Sequence, residues 1–400
     1  MLTFSEALAR LLATAAPLGA ERVSLEEAHG RVLAEDVRAA TPMPAFDYSA
    51  MDGYAVAAGD LEGAGPWELP VKGESAAGGT PPAFVRGTAC RILTGAAMPE
   101  GADAVVPQED VDRREDVAVI RVGVGRGAWM RRRGEDLAEG ALALTRGARL
   151  HPGRVALAAA LDRPHLLVAR RPVVSVLCSG DELRSPGEPG RAGSIAESNG
   201  YFVAAAARAA GAIARIGPFV RDDRETATQA VAEALRGSDL VVTVGGVSVG
   251  DHDVIRPALE AAGVTLDFWR VAIKPGKPLA VGRSGAVHVL GLPGNPASAS
   301  LTFLLFGIPL LRALQGDAAP LPARIRARVL GSLRRKPGRE EFLRARIEVT
   351  EGEISARLAP NQASGAVTSF ADADALVVVP ADRERVEDGE RLEVMLIPQM

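Results

Sequence analysis

A multidomain chain of α/β plus β class is predicted here by three features of the order of its segments. Between residues 172 and 316, continuous apolar runs alternate with amphipathic or alanine-rich stretches, the texture of a parallel sheet covered by helices on both faces. Before this region, residues 41–140 carry short β-like runs cut by glycine and proline, which reads as a β-rich module inserted into something else. After it, Pro320 and Pro322 mark a linker, and residues 323–400 return to β-like runs. A length of 400 residues accommodates about two to four domains of ordinary size.

Each element has its own local reason. The first segment reads as an amphipathic helix capped by Thr3, with Glu6 closing a capping box. It is not expected to be a signal peptide, because it lacks a basic start and Glu6 and Arg10 interrupt its apolar run. Ser24 and Glu27 repeat the capping-box pattern, Gly30 ends that short helix, and residues 31–38 read as a strand. Strands follow at 90–93, 104–106, 117–124 and 141–144, then a helix at 156–161. In the α/β region, strands at 173–177, 213–216, 240–244 and 287–290 alternate with helices at 202–210, 225–236, 254–262 and 298–314. The last region carries strands near 325–329, 343–349, 376–379 and 392–396. The longest apolar stretch, 301–311, is broken by Gly307 and Pro309 and is too short to span a bilayer, so no membrane partner is expected.

Composition excludes several functions. Lys plus Arg number 46 against 50 Asp plus Glu, a net charge of −4, which does not suit a coat for nucleic acid or for an acidic membrane. Aromatic residues at 4% are too few for a single-strand stacking platform. Cys90 and Cys178 make neither a disulfide framework nor a cysteine-rich zinc site, and read as core thiols of a reduced, cytoplasmic protein. There is no P-loop, no G-x-G-x-x-G and no histidine or cysteine cluster.

The unusual sequence lies in loops. Residues 44–56 place Asp47 and Asp52 beside Phe46, Tyr48, Met51 and Tyr54, which look exposed; an Asx turn leading into a strand explains the same letters. Arg131, Arg132 and Arg133 meet Glu135 and Asp136 across one glycine, either a solvated charged face or a phosphate site beside a metal. Ser179, Gly180, Asp181 and Glu182 follow an apolar strand, where parallel sheets bind ligands. Cys178 beside them has acidic neighbours and reads as structural. Residues 242–254 follow another strand, and their glycines let backbone N–H groups approach an oxyanion. The same segment fits a nucleophile elbow at Ser248, with Asp267 and His288 as partners in a serine hydrolase. Against that, His288 lies in an apolar run, and Asp251 and Asp253 suit a metal better than an ester; His252 reads as a solvated residue. Pro275 and Pro278 aim Lys274 and Lys277 from a stiff loop, and two ammonium groups held close call for an anion between them. Residues 291–300 follow a strand and open a helix near Pro296, again presenting backbone donors. Hard oxygen ligands together with Lys and Arg indicate a phosphorylated substrate and a divalent metal.

The segments PAFDYSAMDGYAV, ILTGAAMPEGADAVV, RRRGED, SGDEL, VTVGGVSVGDHDV, IKPGKP and GLPGNPAS stand in that order. The series resembles the molybdopterin molybdenumtransferase family, which includes the C-terminal domain of gephyrin, over essentially the whole chain. The resemblance implies an elongated four-domain protomer that forms a homodimer. Its central α/β/α domain, residues 1–19 and 171–319, would be similar to molybdopterin adenylyltransferase. Residues 20–40 and 141–170 would form a linking domain, 41–140 the inserted β-rich domain and 320–400 the C-terminal β domain. The implied reaction inserts molybdenum from molybdate into adenylylated molybdopterin, releases AMP and uses Mg²⁺. By the same resemblance Asp52, Asp136, Glu182 and Asp253 are catalytic, and Asp52, Glu182 and Asp253 hold the metal. Thr94, Arg133, Ser179, Gly180, Asp181, Asp222, Gly245, Gly246, Ser248, Pro293 and Asn295 would bind the substrate. Lys274, Lys277, Ser298 and Arg344 would hold molybdate. The chain departs from the family pattern at Tyr48, Cys178 and His252, none of which touches these carboxylates or lysines. A molybdopterin adenylyltransferase is a further expected partner. A non-catalytic scaffold is the other alternative; it would tolerate loss of the carboxylates, and all are present.

Overall fold

Val173–Cys178, Ile213–Ile216, Leu240–Val244 and Val287–Leu292 pair side by side in parallel, with Val173–Cys178 between Ile213–Ile216 and Leu240–Val244. The computed structural model describes residues 1–221, 223–246 and 254–397, so Asp222, Ser248, Asp251, His252 and Asp253 lie outside the described residues. The sheet has six strands rather than four, and it is mixed. Pro278–Ser284 and Thr265–Arg270 extend it as antiparallel strands, where a purely parallel sheet was expected. Pro275, Gly276 and Pro278 hide the start of Pro278–Ser284 from a purely local reading, although a proline at a strand's first residue is tolerated.

Alternate residues of the central strands feed two cores. Val174, Val176, Leu240, Val242 and Val244 face a cluster with Phe4, Leu8 and Leu11, the alanines of Asn199–Ala209 and the 296–314 helix. Leu177, Val241 and Val289 face a second cluster with Ala227, Val231, Ile255 and Leu259. Thr3 caps the first helix as expected, its side chain accepting from the Glu6 amide while Glu6 takes the Thr3 amide. Ser24 makes no such side-chain bond, so the second capping box is absent. Pro296–Leu314 is long and apolar enough to cross a membrane, yet 89% of its most apolar window is buried within the protein. It is a core helix, with Phe303, Phe306, Leu310 and Leu311 fully enclosed. Each such side chain stabilises the fold by roughly 1.5–3 kcal/mol.

Ala20–Ser24 pairs antiparallel with His165–Ala169, which returns the chain to the α/β sheet. Beyond the linker, Glu340–Thr350, Glu353–Leu358, Arg324–Leu330, Arg391–Leu396 and Ala375–Val379 pair in succession, and the last closes on the first. The result is a five-stranded barrel. Its interior of Ala327, Val329, Ala345, Ala356, Ala375 and Val377 is small enough to fill so narrow a closure. Ile273–Lys274 adds to its edge, in register with Glu340 and Glu341. These elements, residues 1–35, 146–151 and 165–400, form one compact unit; residues 36–145 and 152–164 form a second.

The second unit holds a six-stranded sheet in which Gly53–Val56 lies between Ala89–Ile92 and Ala104–Pro107. Val37–Arg38 pairs with Leu142–Leu144. The expected strand over 31–38 is reduced to isolated bridges at Val32 and Leu33 and this two-residue piece, and Val117–Ile120 is shorter than the apolar run suggested. Tyr54, expected to be exposed, is 5% exposed and packs in this core under the Arg91 guanidinium; Phe46 is open to solvent.

His288 sits in the Val287–Leu292 strand, 2% exposed, with Nδ1 unpartnered among the described residues. Burial, aided by Arg283 and opposed by Asp239, pushes its pKa down to about 4. The unfolded chain therefore binds a proton there between pH about 6.5 and 4 that the folded chain does not. Stability is expected to fall as pH drops through that window, by about 3 kcal/mol in total. His288→Phe should flatten the dependence; a denaturation midpoint with the same pH slope in both proteins would refute the assignment.

Candidate functional site

The carboxyl ends of the three central strands converge on small residues. Ser179 donates its amide to the Val244 carbonyl (3.1 Å), and Gly245 donates to Leu292 O (3.1 Å). Gly245 has φ of +87°, and a Cβ there would stand 2.9 Å from both the Ser179 carbonyl and hydroxyl oxygens. Only glycine meets both demands. Asn199 Nδ2 ties down the neighbouring Gly294 carbonyl at 2.8 Å. Gly180 follows Ser179, and the exposed Glu182 carboxylate folds back over it. This floor brings together Ser179, Gly180, Glu182, Gly245, Gly246, Pro293 and Asn295 on the loops that follow the strands; Asp181 is exposed beside them. Gly245→Ala is expected to leave the barrel folded but to weaken the hold on any anion seated on this floor about tenfold or more, since a wedge at this point forces Ser179 aside. Equilibrium dialysis with AMP measures it, and unchanged affinity would remove the floor from the site.

Beside the floor lies a cavity of about 510 Å³ whose walls include Lys274, Lys277, Asn295, Ser298, Gln362 and Ser364. Gly276 lets the lysine loop press against the core helix: its φ is +101°, and a Cβ would meet the Thr302 hydroxyl at 2.5 Å. The Ala297 amide of the same helix donates to Ser364 O (2.9 Å), which brings the barrel's 361–364 segment over the helix start. Ser298 is 4% exposed and Lys277 is open to solvent.

The two lysines are not the bare, repelling pair the sequence implied. Lys274 Nζ lies 2.9 Å from Glu341 Oε1, and Glu341 Oε2 accepts from Arg335 Nε at 2.7 Å. Glu341 is 3% exposed. Arg335 also donates to the carbonyls of Pro380 (2.9 Å), Arg383 and Arg339. The anion beside Lys274 is thus part of the protein. Lys274→Ala is therefore expected to destabilise the chain, not to relieve strain.

Arg344 does not line the cavity. It is fully buried, donating to Ser369 Oγ (3.1 Å) and to the carbonyls of Asn361 (3.3 Å) and Ala363 (3.1 Å). It supports the 361–364 segment from behind, and its Nη1 has no protein partner among the described residues. Burial pulls its pKa down to about 10.

In the other unit, Asp52 Oδ1 accepts the Thr94 amide (2.7 Å) and hydroxyl (2.8 Å), while Oδ2 takes neither. The Thr94 amide, then its hydroxyl, holds the carboxyl below the usual range, so it is ionised at neutral pH. The arginine turn docks on the same loop: the Arg133 amide donates to Asp47 Oδ1 (2.6 Å) and the Gly134 amide to Pro44 O (2.9 Å). Arg131 pairs with Glu135 at 3.0 Å, so part of the charge run neutralises itself. Met43, Pro44, Tyr48, Arg131, Glu135 and Asp136 line a cavity of about 480 Å³ here. Asp52 and Glu182 thus belong to different units, and among the described residues no group of three carboxylate, histidine or cysteine side chains gathers as a metal cage.

The hydrolase alternative loses its partners. His288 pairs with Leu240 at the amino end of the strands, opposite to the end where Gly245 begins its loop. Asp267 accepts instead from Trp269 Nε1 at 2.6 Å. Sequence reasoning missed Glu341, Gln362 and Ser364; only the acidic pair inside REEF hinted at the first.

Fold and site together define a multidomain α/β protein with a glycine-lined face at the carboxyl ends of its sheet, and beside it a basic cavity walled in part by a β barrel. Residues 2–161 match the MoeA N-terminal region (domain I and II), 175–313 a probable molybdopterin binding domain, and 326–397 the MoeA C-terminal region (domain IV). A molybdopterin molybdenumtransferase 2 of Mycobacterium tuberculosis is 38% identical over 93% of this chain and 94% of its own length. A molybdopterin molybdenumtransferase of Haemophilus influenzae is 35% identical over 98% of both. A crystal structure of a molybdopterin biosynthesis moeA protein from Pyrococcus horikoshii superposes with a TM-score of 0.86 at 29% identity, covering 99% of this chain and 100% of that one. The chain belongs to the molybdopterin molybdenumtransferase family.

Proposed function

We propose that this molybdenumtransferase of molybdenum cofactor biosynthesis inserts molybdenum from molybdate into adenylylated molybdopterin and releases AMP. The observation that carries the reading is the basic cavity of Lys274, Lys277, Asn295 and Ser298 beside a glycine floor at the strand ends. Molybdate and the substrate's phosphates are oxyanions, which such donors hold by charge-assisted hydrogen bonds. The glycine floor admits the phosphates close to backbone N–H groups. Cys178 is buried and its thiol is pushed up, first by burial and then by Glu197, so the sulfurs that take the metal come from the substrate.

The donor set suits Mg²⁺: Asp52 is an ionised carboxylate with one oxygen turned from Thr94, and Glu182 is an exposed carboxylate, both hard oxygen ligands. Bound there, with Asp253, Mg²⁺ would neutralise charge on the phosphoanhydride. A homodimer, as the family resemblance implies, is part of the proposal, as are a cytoplasmic setting and hand-over from a molybdopterin adenylyltransferase. Purified chain given adenylylated molybdopterin and Mg²⁺ should release AMP in proportion to added molybdate. AMP release that ignores molybdate would overturn the reading, and a fully active monomer in sedimentation would overturn the dimer.

A further inference from the structure

We infer that the cavity beside the arginine turn, walled by Tyr48, Arg131 and Asp136 and flanked by Phe46 and Trp129, binds the flat pterin ring of the substrate. The choice of ring rests on the substrate proposed above. Aromatic residues are only 4% of the chain, yet three of them stand on one short ribbon and the loop that enters it. Tyr48–Ser49 pairs antiparallel with Met130–Arg131, and Arg131 lies opposite Tyr48, so these two side chains share a face. Ser49 is buried on the other face. Tyr48 and Arg131 both line the cavity of about 480 Å³. Phe46 meets Tyr48 edge to face, with ring centroids 6.5 Å apart, and is itself 51% exposed.

Trp129 points to a ligand most strongly. It continues the same ribbon, its carbonyl accepting the Ala50 amide at 2.9 Å, and it is 50% exposed. Its φ is +54°, a left-handed conformation that glycine or asparagine adopts at far less cost than a bulky aromatic residue. The Ala50 bond on one side and the Val105 amide on the Ala128 carbonyl (3.0 Å) on the other hold the backbone there. An indole kept in a strained position and half open to water adds little to the core, and its flat face is free to stack on a planar ring. The polar groups of the cavity select which ring. Glu135 is engaged on both oxygens, by Arg131 Nη1 at 3.0 Å and by the Arg132 amide at 2.9 Å. Asp136 is exposed, and its carboxylate has no hydrogen-bond or ion-pair partner among the described residues. Its backbone is fixed by the bond from its amide to Met43 O (3.0 Å). A carboxylate with both oxygens open accepts two adjacent N–H donors. The 2-amino-4-oxo edge of a pterin offers that pair, and adenine, the substrate's other ring, does not. Arg131 keeps further donors of its fork for a ring oxygen.

The test is direct binding of free pterin and of adenosine, as separate probes, to the purified full-length chain. Trp129→Asn suits the left-handed backbone, so it is expected to keep or raise the melting temperature while weakening pterin about fivefold to a hundredfold. A merely structural tryptophan would show the reverse, a lower melting temperature at unchanged pterin affinity. Tyr48→Leu should weaken pterin in the same range. Asp136→Asn should weaken pterin but not lumazine, which carries an oxygen in place of the 2-amine. Adenosine affinity should hold in all three variants. Unchanged pterin affinity in folded Trp129→Asn and Tyr48→Leu, a loss confined to adenosine, or a wild-type chain that binds no pterin would each overturn the inference. A shift from dimer to monomer in sedimentation at unchanged pterin affinity would overturn it too, by making the aromatic face a contact between copies. Molybdate-dependent AMP release by the wild type, assayed alongside, keeps the two readings apart. Release with no effect on pterin sinks the ring site alone, and pterin loss in the variants without any release sinks the reaction alone.

Discussion

Asp52→Asn is expected to lower molybdenum insertion by about a hundredfold to a thousandfold without loss of fold, the scale set by removing one pre-organised electrostatic group from a reaction centre. The amide is nearly isosteric, and its oxygen can still accept the Thr94 amide that now donates to Oδ1 at 2.7 Å. What disappears is the negative charge. Because the Thr94 amide and hydroxyl depress the pKa of this carboxyl, the folded group stays ionised below the pH at which an ordinary aspartate is protonated. The sign follows: the charge is present above the unfolded pKa and is lost only as pH falls through the lower folded value. Thr94→Ala should therefore move the acid limb of the rate profile upward. Thr94→Val should do the same, since both variants keep the backbone amide and lose only the hydroxyl. Turnover within a factor of three of wild type in folded Asp52→Asn protein would refute a role for this carboxylate in the chemistry.

Glu341→Gln is expected to have the largest effect on stability, a loss of about 3–5 kcal/mol. The substitution leaves the Arg335 guanidinium, whose side chain is fully enclosed, without its carboxylate, and frees Lys274 at the same time. Three carbonyls still accept from Arg335, which keeps the expected loss from being greater. Glu341→Asp, one methylene shorter, cannot reach both cations and should fall between. The check is the denaturant midpoint followed by far-ultraviolet circular dichroism, alongside molybdate binding. A midpoint change worth less than about 1 kcal/mol would mean that the triad is relaxed by water and not a structural pin. If instead stability falls while molybdate affinity per folded molecule holds, Lys274 is structural and Lys277 carries the ligand.

Much of this was legible in the letters, because strands and helices are specified by neighbours a few residues away. The apolar runs that became Val173–Cys178 and Leu240–Val244 needed no partner to be recognised, since burial on both faces demands a nearly continuous run of apolar side chains, interrupted here by Ser175 and Thr243. Glycine loops after strands likewise marked the floor around Ser179 and Gly245, because a close backbone approach excludes a Cβ. Local patterns already faltered where geometry mattered: Thr3 and Ser24 carry the same capping letters, yet only Thr3 makes the bond. Pairing between distant segments could not be read at all. The closure of Ala375–Val379 on Glu340–Thr350, and the antiparallel strands added beside Val287–Leu292, depend on which edges the folded core leaves open. The charge state of the lysine loop is the sharpest case. By sequence alone, Lys274 and Lys277 determine a stiff, basic loop fit for an anion. Only the tertiary structure decides that Lys274 is taken by Glu341, through a parallel register between Ile273–Lys274 and the barrel edge. The reason is that a charge's partner is whichever opposite charge the chain's folding brings within a few ångströms, and that distance is not written in the spacing of residues along the chain.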